Sequence, residues 1–466
     1  MQSVFGMHDR SKFQIYCYAT TPPDGTLHRQ KIEGEADVFI NCAAWSTQRI
    51  VEQIVNDKIH VLVNLNGYTK GARNEIFAAR PAPVLVAFMG FAGTLGAGWC
   101  DYVVTDPIVC PPWTVRCEVR AERRHRAVKH AIADQRKDEA GALDWVYTER
   151  MIYMPHTYFV NDHRQGFRVD EELRGIQTAD ELWITEQDAR YKMRHEIFPQ
   201  ISDDVFIFAN FNQLYKIDPT LFRMWLRVLE RVPNAIIWLL RFPAAGEEHL
   251  HRAAVEWAGE EVARRVVFTD VAPKHIHIKR GRVADAFLDT PECNAHTTAV
   301  DILWSGTPVL TWPRHEHKLC SRVAASVACA TGHGRQMVVS SADEYVDKAV
   351  EWATTLSYEY QYVLPMAGQQ TILSVDPQTG YMKRRVCHGP VMELRKQLFM
   401  RRDRSRLFDT LRWTRNLERG LTEAWRRWVT GEDDPTVYAP AGRCIWVIDE
   451  DDAMPSHSWV REMIGW

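Results

Sequence analysis

The chain has 466 residues, of which 46% are hydrophobic and 25% are charged, the proportions of a soluble globular protein with two or three domains. Its formal net charge of −3 at pH 7 argues against a nucleic-acid-binding protein, which would carry a strongly basic surface. The 10 cysteines include no CxxC pair, which favours reduced thiols over a disulfide framework. No signal peptide opens the sequence, and glycines and prolines break the uncharged window Pro81–Cys100, so no stable membrane insertion is expected.

Short apolar runs alternate with amphipathic runs over residues 1–165, which predicts an N-terminal α/β domain with a parallel sheet. The predicted strands are Phe13–Ala19, Asp37–Cys42, His60–Asn66, Val84–Met89, Tyr102–Thr105 and Met151–Met154. A helix is predicted over Thr47–Asn56. The charged stretch Pro111–Asp144 is predicted to be an exposed insertion, and the polar residues 166–203 are predicted to link two lobes.

A second series of strands and helices, over residues 204–357, predicts another α/β domain. Its predicted strands are Val205–Asn210, Ala235–Arg241, Arg265–Asp270, Ala284–Leu288 and Val309–Trp312. Residues 358–430 begin with an insertion that fits no pattern and end in a predicted amphipathic helix over Arg402–Trp428. In the tail, residues 431–466, the carboxylates of Glu450–Asp452 are interpreted as a solvated acidic run rather than an ion site.

The stretch Asp289–Asp301 is the first candidate for a functional site. It follows an apolar strand, and the spacing Thr298-x-x-Asp301 predicts the capping box of a helix start. Helix-start N–H groups, together with the hydroxyls of Thr297 and Thr298, would form an anion site suited to a diphosphate. An ordinary capped helix in an α/β core is the alternative interpretation.

Two further loops carry cations after predicted strands, where ligands of open α/β sheets gather. Gln213 and Lys216 follow the strand Val205–Asn210, and a lysine there can neutralise a diphosphate without a metal. Lys274 and His277 are three residues apart, so they share one face of a helical turn. Taken alone, the loop of Lys216 favours an ordinary surface lysine, and a solvated helix start is the alternative for Lys274 and His277. Together, and without a GxGxxG motif, the loops favour a nucleotide-diphosphate site over a dinucleotide site.

The N-terminal half offers a weaker set of candidates. Asp57 and His60 stand just before or at the third predicted strand, and Gly90, Gly93 and Gly96 follow the strand Val84–Met89. Glycines at a strand end allow a ligand to approach the backbone closely. The sequence contains no GxSxG nucleophile elbow and no HExxH metal motif.

Several long motifs closely resemble the catalytic region of the protein O-GlcNAc transferases, among them VLVNLNGYTKGARNEIFAARPAP (61–83), NFNQLYKIDP (210–219), VAPKHIHIKRG (271–281) and LDTPECNAHTTAVDILWSGTP (288–308). The resemblance implies an α/β fold of the GT-B type, with two Rossmann-like lobes facing across a cleft. It implies transfer of N-acetylglucosamine from UDP-GlcNAc to Ser or Thr hydroxyls of nuclear and cytoplasmic proteins, with inversion and without a metal or other cofactor.

The resemblance also implies roles for individual residues. In the first lobe, Asp57 and His60 are the catalytic candidates, Asp57 as a base. Lys216 would stabilise the leaving UDP. The residues implied to contact the nucleotide sugar are Gln213, His296, Thr297 and Thr298 at the diphosphate, Ala272, Lys274, His277 and Arg280 at the uridine, Asp301 at the ribose, and Gly90 and Leu240 at the sugar.

Members of this family carry tetratricopeptide repeats that select protein substrates, and these are expected upstream of Met1. The family's first strand and a histidine-bearing loop are expected there too, so Met1 is predicted to fall inside the catalytic domain. Two alternatives stay open: a protein O-fucosyltransferase that uses GDP-fucose, and a catalytically inactive fragment that keeps nucleotide or partner binding.

Overall fold

The structure is a computed structural model that describes residues 1–115, 146–167, 178–365, 372–433 and 444–449. The chain divides into two compact units. The first unit comprises Met1–Asp162, Glu316–Cys320 and Asp409–Trp466, and the second comprises His163–His315 and Ser321–Phe408. Each unit contains its own parallel sheet, so the predicted α/β class is confirmed. Among the described helices, none is both long and apolar enough to cross a membrane.

The first unit holds a five-stranded parallel sheet in the order β14-β6-β5-β4-β3 and a separate parallel pair, β1-β2. Its strands are β1 (Tyr16–Ala19), β2 (Val38–Asn41), β3 (Val61–Asn64), β4 (Val84–Ala87), β5 (Tyr102–Thr105), β6 (Arg150–Tyr153) and β14 (Ile445–Trp446). Its helices are Val4–Met7, Leu27–Glu35, Thr47–Asn56, Asn74–Ala78 and Thr410–Val429. Ile50 and Ile54 lie four residues apart on one helix face and pack into the core against Leu62.

The second unit holds a five-stranded parallel sheet in the order β11-β10-β7-β8-β9 and an antiparallel hairpin, β12-β13. Its strands are β7 (Phe206–Asn210), β8 (Ala235–Leu240), β9 (Val266–Thr269), β10 (Ala286–Leu288), β11 (Val309–Leu310), β12 (Ser357–Val363) and β13 (Met382–His388). Its helices are His163–Gly166, Ala179–Ile197, Pro219–Arg231, Gly246–Ala263, Lys274–Arg280, Thr297–Trp304, Val323–Ala330, Gly334–Met337, Ala342–Thr354 and Pro390–Arg401.

The strand order of the second unit reverses between β7 and β10. From β7 the chain proceeds outward through β8 and β9, then returns to place β10 on the other side of β7. At such a reversal, ligands of open α/β sheets bind in a crevice outside the carboxyl ends of the strands. This topology brings together the loops that follow Asn210 and Leu288.

The structure corrects several of the sequence-based predictions. Residues 178–197, part of the predicted linker 166–203, form the cap and the Ala179–Ile197 helix of the second unit, with a capping box between Thr178 and Glu181. Thr114 and Val115, at the start of the predicted exposed insertion, are buried, whereas residues 116–145 lie outside the described part. The predicted Arg402–Trp428 helix begins only at Thr410. The region predicted as an insertion, residues 358–430, contains most of the β12-β13 hairpin, which begins at Ser357. The tail contributes strand β14. The Glu450–Asp452 carboxylates lie outside the described residues.

Candidate functional site

The loops after β7 and β10 are joined side by side by hydrogen bonds. Asn210 donates from Nδ2 to the Leu288 carbonyl oxygen at 2.6 Å, and Asn212 donates from Nδ2 to Oγ1 of Thr290 at 2.9 Å. Both asparagines are buried, so these bonds satisfy groups that water does not reach. The two loops therefore form one rigid rim at the point where the strand order reverses.

Lys216 lies on this rim, as the sequence predicts. It ends the short 3₁₀ turn Leu214–Lys216, and its Nζ donates to the Asn294 carbonyl oxygen at 2.8 Å. Asn294 is held in turn by its own side chain, which donates to the Thr290 carbonyl and accepts from the Ala324 amide. The Lys216 side chain is only partly buried, so the ammonium is fixed in position while its charge can still meet a ligand.

Asp289 opens the stretch predicted from sequence, but sequence reasoning gave its side chain no role. It directly follows β10, is fully buried, and accepts from the Ala295 amide and the Thr311 hydroxyl, each at 2.7 Å. Burial raises the pKa of Asp289 to about 7, although both hydrogen bonds and the nearby charge of Lys216 act in the opposite direction. The side chain fixes the loop whose Asn294 carbonyl contacts Lys216. Its position immediately after an apolar strand was the available sequence signal.

The helix start at Thr297 differs from the predicted capping box. His296 occupies the N-cap position without a capping side-chain hydrogen bond, and Thr297 and Thr298 are the first two helical residues. Asp301 lies in the second turn, where it is buried and its Oδ1 is 2.6 Å from Nε2 of His163. The capping prediction for Asp301 is therefore wrong. The first-turn amides nevertheless lack a capping side chain from His296, as an anion-binding helix start requires.

His277 lies close to Asp301. The helix Lys274–Arg280 carries it with its ring centroid 5.4 Å from that of Phe211, which follows β7. Burial lowers the pKa of His277, while the charge of Asp301 opposes the shift, so the imidazole is neutral near pH 7. A neutral ring next to the rim is able to stack on a planar base. Lys274, exposed at the start of the helix, lies over the ring of Phe167 at 5.9 Å.

The other predicted contacts of the second unit differ in their access. Gln213 is half-buried on the rim and accepts from the Tyr215 hydroxyl. Ala272 is half-buried in the loop after β9, whereas Leu240 is buried as the last residue of β8. Arg280 is also buried, and its Nη1 donates to the Asp270 carbonyl at 2.9 Å. Arg280 therefore holds the loop after β9 to the helix that carries His277.

Asp57 and His60 lie at the amino ends of the strands of the first sheet, whereas Gly90 lies at the carboxyl ends. Asp57 follows the Thr47–Asn56 helix and accepts from the Tyr18 hydroxyl at 2.6 Å and from Gln53 at 2.9 Å. The ring of His60 lies 4.4 Å from that of Trp425. Both residues precede β3 and so stand at the amino ends of the parallel strands, whereas ligands gather at the carboxyl ends. The carboxyl-end rule alone therefore does not favour the predicted catalytic roles of Asp57 and His60, which stay predictions.

Gly90 follows β4 at the carboxyl edge, where it permits a close approach of two loops. A Cβ atom added at Gly90 would lie 1.8 Å from the Leu65 carbonyl oxygen. Asn64, Ala87 and Met89 line a small cavity beside it. The glycine thus allows the loops after β3 and β4 to touch, and a direct contact with a sugar is not needed to explain it.

Replacing Gly90 by alanine is expected to destabilise the chain by about 2–3 kcal/mol, because the two loop backbones must move apart. Chemical denaturation monitored by circular dichroism measures this change. Gly98→Ala is the matched control, since no atom lies within 4 Å of its added Cβ and its φ is not positive, and it should leave stability nearly unchanged. Equal denaturation midpoints for the two variants would contradict the proposed close contact.

Two Rossmann-like units, one with a cationic rim at the reversal of its strand order, define a glycosyltransferase of the GT-B fold. The described fold matches the solved structure of a Thermobaculum terrenum O-GlcNAc transferase with a TM-score of 0.66 at 21% identity, over 92% of this chain and 65% of that one. The model of glycosyl transferase family 41 matches residues 1–122 and 192–364. The chain belongs to this family, and the predicted GT-B fold is confirmed.

Curated relatives agree with this assignment. The chain is 39% identical to a probable UDP-N-acetylglucosamine–peptide N-acetylglucosaminyltransferase, SEC, of Arabidopsis thaliana, over 93% of this chain and 36% of that protein. It is 32% identical to the UDP-N-acetylglucosamine–peptide N-acetylglucosaminyltransferase of Caenorhabditis elegans, over 92% of this chain and 40% of that protein. The chain thus spans less than half the length of these two relatives.

Proposed function

We propose that the chain is the catalytic region of an enzyme that transfers N-acetylglucosamine from UDP-GlcNAc to Ser or Thr hydroxyls of nuclear and cytoplasmic proteins. The observation that carries this proposal is the contact of Lys216 with the Asn294 carbonyl, because it fixes an ammonium beside the Thr297–Trp304 helix start. The names of the two curated relatives, which specify this donor and peptide acceptors, support the same reaction.

The mechanism follows from the charges on the rim. The diphosphate of UDP would lie at the helix start, with Lys216 beside it and the hydroxyls of Thr297 and Thr298 within reach of its oxygens. An acceptor hydroxyl would attack the anomeric carbon from the face opposite UDP, which inverts the configuration there. The fixed ammonium and the helix amides would stabilise the negative charge that develops on the departing UDP, in place of a metal.

The segment that carries Lys274 and His277 would recognise the base. The neutral ring of His277 would stack on uracil, while the buried Asp301 holds His163 and acts on His277 through its charge. This arrangement gives Asp301 a positioning role in place of the cap predicted from sequence. No general base is assigned, since Asp57 and His60 precede their strand at the amino edge of the first sheet.

Isothermal titration calorimetry of the 466-residue chain with UDP and GDP tests the nucleotide preference. We expect UDP to bind at least about tenfold more tightly than GDP. The imidazole ring of His277 would stack on uracil, whereas a purine would be displaced from this ring. The same titration with UDP-GlcNAc and GDP-fucose tests the O-fucosyltransferase alternative. Preference for the guanine nucleotides would refute the proposed donor.

Transfer itself is tested with radiolabelled UDP-GlcNAc and an acceptor peptide. Label in the peptide that survives denaturation, and that β-elimination removes, would show O-linked transfer to Ser or Thr. Binding of UDP without any transfer would favour the alternative of an inactive nucleotide-binding chain.

A further inference from the structure

Asp289 makes hydrogen bonds with both its backbone and its carboxylate. Its amide donates to the Leu310 carbonyl at 2.9 Å, and its carbonyl accepts from the Tyr345 hydroxyl at 2.9 Å. Its Oδ1 accepts from the Ala295 amide and its Oδ2 from the Thr311 hydroxyl, each at 2.7 Å. The residue is fully buried, so water does not compete for these bonds. The position of the carboxylate is therefore set by its neighbours in the fold.

The two hydroxyl donors to Asp289 are themselves fixed. Thr311 is buried just after β11, where its amide donates to the Met337 carbonyl and its carbonyl accepts from the Val339 amide, each at 3.0 Å. The hydroxyl of the buried Tyr345 accepts from Nε1 of Trp225 at 3.3 Å. Asp289 is thus held from a neighbouring strand and from a packed helix, and it can act as a rigid support.

The carboxylate of Asp289 acts on one particular peptide bond. The Ala295 amide that it binds and the Asn294 carbonyl that accepts from Nζ of Lys216 belong to the same peptide group. This group is planar and trans, so its N–H and its C=O point in opposite directions. A carboxylate that holds the N–H on one side therefore fixes the direction in which the carbonyl meets the lysine on the other side.

The other bonds of this turn do not fix that peptide plane. The Asn294 side chain donates to the Thr290 carbonyl at 3.0 Å and accepts from the Ala324 amide at 3.1 Å. These two bonds hold the side chain of Asn294, whereas its carbonyl could still turn about the backbone. The bond from the Ala295 amide to Asp289 removes this freedom.

We propose that Asp289, supported by Thr311, is a positioning residue for sugar transfer, which orients the Asn294–Ala295 peptide group so that its carbonyl fixes the Lys216 ammonium at the diphosphate. This role rests on the proposed function of the rim. Without the carboxylate, the ammonium would keep its charge but lose its fixed position. A charge that must reorganise as the reaction proceeds stabilises the departing UDP less than one already in place.

A double-mutant cycle with Lys216→Met tests this role. We expect Asp289→Ala to lower kcat by about thirtyfold and to change KM for UDP-GlcNAc by less than about fivefold. In the Lys216→Met chain the same substitution should change kcat by less than about threefold, because the residue that it positions is gone. An aspartate that only stabilised the fold would lower kcat by the same factor in both chains, and that result would overturn the proposal.

Two further variants guard against an Asp289→Ala chain that does not fold. Thr311→Val keeps the shape of the side chain but removes one donor to Asp289, and it should lower kcat by about threefold. Asp289→Asn can still accept from Ala295 and can donate to Thr311, so it should bring kcat back to within about fivefold of the wild type. Thr354→Val is the matched control, since this exposed threonine donates to carbonyls of its own helix. Equal turnover of Thr311→Val and this control would contradict the role.

The behaviour of the wild-type chain separates this role from the proposed function. If the chain transfers the sugar and the two substitutions act independently, only the role of Asp289 fails. If it binds UDP without transfer, the same cycle is measured by isothermal titration of UDP, with about a fivefold loss of affinity expected for Asp289→Ala only when Lys216 is present. If it neither binds UDP nor transfers the sugar, the proposed function fails and the role of Asp289 fails with it.

Discussion

Lys216→Met is expected to lower the turnover of glycosyl transfer by about a hundredfold or more. The ammonium is fixed by the Asn294 carbonyl, so in the wild-type chain it costs little reorganisation when negative charge develops on the departing diphosphate. Methionine keeps the length of the side chain but supplies neither the charge nor the donors. A radiolabelled-donor assay at saturating UDP-GlcNAc measures the change in turnover.

Lys192→Met is the matched control for this experiment. Lys192 is an exposed lysine of the same unit, with its Nζ 3.9 Å from Glu196, and its loss should leave turnover within about twofold of the wild type. Melting temperatures of both variants establish that the comparison is between folded proteins. Turnover of Lys216→Met within a factor of about three of the control would exclude the assigned role.

The central strands of the parallel sheet in the second unit were predictable because β7 and β8 are buried on both faces, whereas β9 is only partly buried. Such strands appear in sequence as continuous apolar runs, and the runs at Val205–Asn210, Ala235–Arg241 and Arg265–Asp270 match β7, β8 and β9 to within one residue at each end. The order of the strands is not encoded in any local pattern. The rule that ligands gather at carboxyl ends nevertheless placed Lys216 on the same rim as the Asp289–Asp301 stretch.

The polar Ala179–Ile197 helix was not predictable by the same means. Its buried residues include Glu186, Asp188, Arg190 and Arg194, so its buried face is charged where an amphipathic pattern requires apolar side chains. The partners that make this burial tolerable, among them Asp285, lie about a hundred residues away in the chain. A hydropathy pattern cannot distinguish such a helix from a solvated linker.

The contacts of Asp301 and Asp57 within the fold were not predictable for a related reason. Local spacing gave Asp301 a capping role, but its observed partner is His163, 138 residues earlier in the sequence. Asp57 accepts from Tyr18, 39 residues earlier, at the amino edge of its sheet. Carboxylates are recruited by whatever donor the fold brings near, and only the three-dimensional structure reveals that donor.

Asp285→Asn is expected to lower the free energy of unfolding by about 3–5 kcal/mol, because it breaks a buried ion pair from one side only. The carboxylate accepts from Arg190, and its second oxygen accepts from the Ile207 amide at 2.8 Å. Asparagine preserves the shape but removes the one buried negative charge that the two arginines of the helix share. Urea denaturation in chloride buffer at pH 7, without phosphate, measures the loss.

Asp343→Asn is the control, since this exposed carboxylate pairs with Arg227 at 3.3 Å and its side chain is 80% exposed. Its removal should change stability by less than about 0.5 kcal/mol.

The pH dependence supplies a second check on Asp285. Burial alone would raise the pKa of Asp285, but the charges of Arg190, Arg194 and Arg385 lower it below its ordinary value of 3.8. The stabilisation by this carboxylate is therefore complete above about pH 4 and is lost as the pH falls through the lower, folded-state pKa. The stability difference between the wild type and Asp285→Asn should shrink in acid, and a difference that grew there would show that the carboxylate is not the group the arginines stabilise.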